Sequence, residues 1–244
     1  MSSDQERNQL TVLESGTDLA RLAAEHWAAH VPTCPGWDLG TLVAHVGRSH
    51  RWAVANLTAG RRVHLREVDQ APDAQAERLA WYREGLEQLG AAIERTDPDA
   101  EIWAFGASGE HRAWWWFRRM AHETALHRYD AELAVGMDPT PLEPSFSAGG
   151  IDEYLVDLLP RLPAERFAER HGTLHVHATD APGEWVLDFD QPPQPARREH
   201  VKADTAVRGP AADLLLWLWG RRPVDGLEVF GDAGTVADWS SLAI

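Results

Sequence analysis

The chain has 244 residues, 44% hydrophobic and 25% charged, a composition that excludes disorder and suits one large domain or two small ones. The formal net charge of −15 disfavours nucleic acid or an anionic membrane as partner, and the single cysteine, Cys34, excludes an intrachain disulfide and any Cys-rich zinc site. No apolar run approaches the ~20 residues of a membrane span, and the polar start, Met1 to Arg7, leads into no signal core, so a cytoplasmic protein is expected.

In chain order, the pattern predicts a first helix from Thr11 to Ala29, with Leu13, Leu19, Leu22, Ala23 and Trp27 as its apolar stripe. Val31-Pro32-Thr33-Cys34-Pro35-Gly36 stops it. Asp38 then serves as N-cap for a second helix, Leu39 to Leu57, whose buried stripe is Leu42, Val43 and Val46. A third helix runs from Ala74 to Glu94 with Asp73 as its cap, and a fourth from Ala113 to Val135, ending at Gly136. Four amphipathic helices point to a four-helix bundle over residues 1–137. The Pro- and Gly-rich stretch Gly136 to Gly150 is the expected domain boundary.

Residues 150–244 change character. A helix from Ile151 to Leu162 precedes alternating strands at Thr173–Ala178 and Glu184–Phe189. Another strand is expected at Ala206–Arg208, a helix from Ala211 to Trp219 opened by Pro210, and a last strand at Leu227–Phe230. The second half therefore reads as a small α+β domain, and the whole chain as α+β.

Histidine and tryptophan each occur 12 times. The tryptophans read as core and pocket-wall residues; the histidines are sorted by spacing. Glu123 and His127 lie four apart and ~40° apart on one helical face, whereas His122 and His127 diverge by ~140° and do not share an ion. His-Glu-x-x-His is absent, which excludes the zinc-protease motif. A third ligand must come from another helix, and His45, within a turn of Leu42 and Val46, is the candidate. Two histidines and one glutamate leave coordination positions open, as catalytic rather than structural zinc sites do. Asp130, seven residues past Glu123, is placed to orient a ligand histidine. Without an ion, the same Glu-x-x-x-His spacing also serves as an ordinary i,i+4 contact. His175 and His177 share one strand face, but no third ligand is evident and they read as surface residues. Cys34 reads as a buried thiol, or as a group near the ion.

The segments Thr33-Cys34-Pro35-Gly36-Trp37-Asp38, Leu42-Val43-Ala44-His45 and His122 through Glu132, with Leu214 to Arg221 and Val229-Phe230-Gly231-Asp232, resemble the mycothiol-dependent maleylpyruvate isomerase family. The resemblance implies a DinB-like metal-binding bundle, a small C-terminal α+β domain, and a divalent ion, zinc first, on His45, Glu123 and His127. It also implies mycothiol as thiol cofactor or co-substrate. A free thiol is only about 3% ionised at neutral pH and a metal-bound thiol is deprotonated, a gain of up to ~30-fold in reactive species. The activity implied is a cis–trans isomerisation, or an S-transfer to a small electrophile. A metal-bearing binding or regulatory protein and a zinc hydrolase remain alternatives. Arg221 is the candidate for gripping a substrate carboxylate, although its position reads first as a helix-terminal charge facing water. No nucleic acid or membrane partner is expected, and the chain is expected to be a monomer or weak homodimer.

Overall fold

The computed structural model describes residues 3–191, 193–236 and 239–242. They fall into two compact units: one takes the chain up to Ala104 together with Glu110–Thr140, the other Phe105–Gly109 and the chain from Pro141 on.

The first unit is a four-helix bundle of α1 (Ser3–His26), α2 (Leu39–Thr58), α3 (Gln75–Arg95) and α4 (Ala113–Ala134). Helices α1 and α2 each pack against both α3 and α4, so the ring runs α1–α4–α2–α3, and the α2–α4 seam is the thinnest of the four. Helix α1 begins eight residues before the expected Thr11. The added turns are polar, so periodicity conceals them. They are held by Gln5, buried, whose Nε2 donates to the carbonyls of Ile93 (2.6 Å) and Thr96 (3.1 Å) at the end of α3. Those carbonyls have no partner within their own helix.

Asp38 caps α2 as expected, accepting from the Thr41 N–H at 2.7 Å. Asp73 does not cap α3: the N-cap is Ala74 without a side-chain bond, and the Asp73 carboxylate faces solvent 3.8 Å from Arg78. Helix α4 is buried on every face, from Trp115 and Trp116 through Met120 to Ala131, which is why its apolar periodicity is weak. Gly136, at φ 73°, turns the chain out of it, with the Gly136 and Met137 N–H groups donating to the carbonyls of Leu133 and Glu132. Trp52, Trp103, Trp115 and Trp116 pack edge to face or tilted, with centroids 5.0–6.3 Å apart. Trp115 and Trp116 are core, and Trp52 and Trp103 lie half-buried at its edge.

Close helix approach rests on glycines. A Cβ on Gly47 of α2 would stand 2.5 Å from Trp81 of α3. Gly47→Ala is therefore expected to destabilise the protein by about 1–3 kcal/mol through overpacking, against a propensity gain of about 1 kcal/mol for alanine over glycine. Urea unfolding of the two proteins measures the balance, and a more stable variant would refute the tight contact.

The second unit opens on α5 (Pro144–Asp152), which continues as a π-helical turn over Glu153–Leu158 and a 3-10 turn over Leu159–Arg161. The helix expected at Ile151–Leu162 thus starts seven residues earlier and widens midway. Strands β1 (Thr173–Ala178), β2 (Glu184–Asp188), β3 (Thr205–Gly209) and β4 (Glu228–Gly231) form one sheet in the order β2-β1-β3-β4. Only the central β1–β3 pair is parallel. Helix α6 (Ala211–Leu218) joins β3 to β4 and packs on α5, β1 and β3. Its first free N–H, of Ala211, donates to the Asp180 carboxylate at 2.8 Å. The observed class is α+β, with the bundle first. Among the described residues no helix is long and apolar enough to cross a membrane.

Candidate metal centre

Three side chains from the two sides of the α2–α4 seam meet at one point. His45 Nε2 lies 2.9 Å from Glu123 Oε1, and His127 Nε2 lies 3.6 Å from the same oxygen. The separation of four along α4 stacks Glu123 and His127 on one face, and Asp38 starts α2 in the register that brings His45 opposite. The two imidazoles pack edge to face, with centroids 5.0 Å apart. Glu123 and His127 are buried, whereas the His45 side chain is 41% exposed. That differs from the inward placement expected from its neighbours Leu42 and Val46. His45 sits at the rim of its helix face and leaves the cluster open on one side.

The surroundings fix each group. His127 Nδ1 donates to Asp130 Oδ2 at 2.8 Å, which turns Nε2 toward Glu123. Asp130, fully buried, also accepts from the Thr33 hydroxyl at 2.6 Å and lies 3.7 Å from Cys34 Sγ. The Thr33–Trp37 loop is thereby tied to α4. Cys34 is half-buried beside His127 and Asp130, not sealed in the core. Trp37 packs on both imidazoles, 4.9 Å from His45 and 6.4 Å from His127, and walls one side.

The second carboxylate oxygen of Glu123 accepts from the buried Arg119, one turn earlier on α4. Ser49 donates to Oε1 at 3.3 Å. Arg119 and Ser49 were not singled out from the sequence, and Trp37 only as part of the motif that carries the family resemblance. The i−4 spacing from Glu123 could have flagged Arg119; nothing in the pattern marks Ser49.

Burial pushes the Glu123 carboxyl up, but Arg119 and the bonds from His127 and His45 prevail and hold it well below the usual carboxylate range. Burial alone would lower His127; bonds to Asp130, Cys34 and Glu123 raise it well above the ordinary imidazole range. These surroundings thus favour positive charge on His127 itself. Deeper in the same seam, burial holds His50 neutral, its pKa pushed down to about 3. Its Nε2 donates at 2.9 Å to the Thr124 hydroxyl, whose own hydrogen goes to the Met120 carbonyl. His122 is buried and outside the cluster.

The donor set fits a divalent ion. Tetrahedral zinc with bonds of 2.0–2.1 Å needs ligand atoms about 3.3 Å apart, and the separations of 2.9 and 3.6 Å bracket that edge. Two imidazoles and a carboxylate are zinc donors, and a carboxylate on the far nitrogen of His127 is the usual support of a ligand histidine.

Arg221 lies in the second unit. It is half-buried, donates to the Trp219 carbonyl at 2.9 Å, and sets its guanidinium 5.7 Å from the Trp219 ring.

Residues 13–132 match the family model described as the mycothiol maleylpyruvate isomerase N-terminal domain, and residues 145–238 match that of the C-terminal domain. Two solved structures share the fold, those of the mycothiol-dependent maleylpyruvate isomerase and of a histidine-to-alanine mutant of it. Each has a TM-score of 0.58 at 16% identity, over 94% of this chain and 95% of that one. No curated protein matches the chain.

Proposed function

The chain belongs to the mycothiol maleylpyruvate isomerase family, and from that premise we propose that it is a zinc-dependent enzyme using mycothiol on a small electrophilic substrate. The observation that carries this reading is the convergence of His45 Nε2, Glu123 Oε1 and His127 Nε2, with Asp130 on the far nitrogen of His127. These three residues would hold the ion. When bound, its chemistry is to keep a coordinated thiol as thiolate, the nucleophile of cis–trans isomerisation or of S-transfer.

The chain's own residues prepare the pocket. Asp130 fixes the His127 tautomer and ring plane. Arg119 occupies one Glu123 oxygen and so presents the other. Trp37 excludes water from the side it covers, and the exposed edge of His45 leaves an approach for a thiol. In the second unit, Arg221 is proposed as the guanidinium that binds a substrate carboxylate, a role its planar fork suits. We place the working division of the chain at residues 1–137 for the metal-binding half and 150–244 for the other.

Mycothiol is expected to bind the zinc-loaded protein at least about 10-fold more tightly than the metal-free protein, a difference of about 1.4 kcal/mol or more. Calorimetric titration of both forms measures this, with turnover assayed on maleylpyruvate and on a panel of electrophiles. Regeneration of the thiol marks an isomerase, and its consumption a transferase. Equal mycothiol binding with and without metal would end the thiol-activation reading.

A further inference from the structure

The face of the sheet in the second unit carries a second cluster. His175 and His177 project from one side of β1, as residues two apart on a strand must. Glu184 on β2 is the direct cross-strand partner of His177, so its carboxylate emerges on that same side. Sequence spacing supplied no third ligand to the pair because the other donors come from a paired strand and from a loop. His200 is brought there by its own stretch of chain. Arg197 pairs backbone to backbone with Val186 on the free edge of β2, at 2.8 and 3.0 Å. Arg198 is held on Asp152 by two bonds of 2.6 and 2.8 Å. Two residues later the His200 ring reaches the cluster.

Glu184 Oε2 stands 2.8 Å from His175 Nε2, 3.5 Å from His177 Nδ1 and 2.5 Å from His200 Nδ1. The ring centroids are 5.8–6.4 Å apart, and the four donor atoms all lie within 4.8 Å of one another. A single carboxylate oxygen has two lone pairs and does not satisfy three imidazoles at once. One cation at their centre does.

We propose that His175, His177, Glu184 and His200 form a second divalent-metal site, distinct in place and kind from the first. Three imidazoles and one carboxylate make a complete tetrahedral set, and a site closed by four protein ligands is structural. The donors suit zinc, and by the same chemistry copper(II) or nickel(II), rather than magnesium or calcium. Closing the pairs to the ~3.3 Å edge of a tetrahedron calls for at most about 1.5 Å of movement, and His200, 78% exposed, is free to move. The ion fastens the segment bearing Arg197 and His200 to the β1–β2 hairpin.

The test uses the full chain, stripped by chelator and titrated with zinc alone, with bound metal counted after dialysis. Wild type is expected to retain two equivalents, and His175→Ala/His177→Ala one, with an unchanged circular dichroism spectrum. Because His175 is buried, His200→Ala is the variant least able to disturb the sheet; it is expected to weaken one equivalent at least about 10-fold and leave the other. Cobalt(II) added to His45→Ala/His127→Ala should then show the visible absorption of a tetrahedral site. A single wild-type equivalent that survives removal of both β1 histidines, or two retained after it, would overturn the proposal.

Discussion

His45→Ala/His127→Ala is expected to lower bound zinc by one equivalent and to abolish thiol-dependent turnover. Removing even an outer partner of a metal ligand typically costs 10–100-fold in affinity, and this variant deletes two of three donors directly. What remains is Glu123, with one oxygen already engaged by Arg119, which cannot hold an ion at micromolar concentration. The fold should survive: His45 is exposed, and the core of the seam is built by Leu42, Val43, Val46, Met120 and Ala121. Metal content by elemental analysis, read with circular dichroism, decides the matter. Full occupancy in a folded double variant would remove the site from the α2–α4 seam altogether.

Glu123→Gln separates a metal ligand from a hydrogen-bonded carboxylate. The substitution keeps size but removes the negative charge and the stronger oxygen donor. Zinc affinity is expected to fall by at least about 10-fold, and thiol-dependent activity to stay low even when excess zinc refills the site. The structure adds a complication that sequence alone did not show. Arg119 is buried against Glu123, and a buried charge that loses its counter-charge costs about 3–5 kcal/mol. The comparison is therefore made also in Arg119→Met/Glu123→Gln, where neither charge is present and folding is restored. If Glu123 only paired with its helix neighbours, the double variant would bind zinc as wild type does. Equal affinities there would take Glu123 out of the coordination sphere.

The helices were legible in the sequence where a stripe of large apolar residues meets a polar face, as in α2 and α3. The first two turns of α1 were not, because Gln5 contributes through hydrogen bonds to carbonyls 88 and 91 residues away, and hydropathy does not register such bonds. The pinning of α1, α2 and α3 at Gly16, Gly40 and Gly47 was equally hidden, since an interior glycine reads as a helix weakness until the facing Leu86, Trp27 or Trp81 is seen. At the candidate metal centre, the shared face of Glu123 and His127 follows from helical period alone. His45 required either its family resemblance or the fold, because its partners are 78 residues distant. Asp130 was legible as a partner of that face, by its return to it, and the structure sets it on His127 Nδ1. The second cluster was half legible: β-strand alternation pairs His175 with His177, but Glu184 depends on strand register and His200 on where a loop is pinned.

The order of helices around the bundle bears on how the chain reaches this structure. In an up-and-down bundle each helix packs beside its successor, and hairpins form early from local contacts. Here only α2 and α3 are neighbours both in sequence and in a main seam; α1 packs chiefly on α4, the helix furthest from it along the chain. Most of the stabilising contacts must therefore await closure of long loops, and folding rates fall as the sequence separation of contacts rises. During synthesis α1 waits for about 110 residues until Ala113–Ala134 leaves the ribosome. Until then the part of its apolar face that meets α4, and the aromatic residues awaiting Trp115 and Trp116, stay uncovered. The first unit should accordingly refold more slowly than an up-and-down bundle of its size, with His45, Glu123 and His127 brought together only in the closing step.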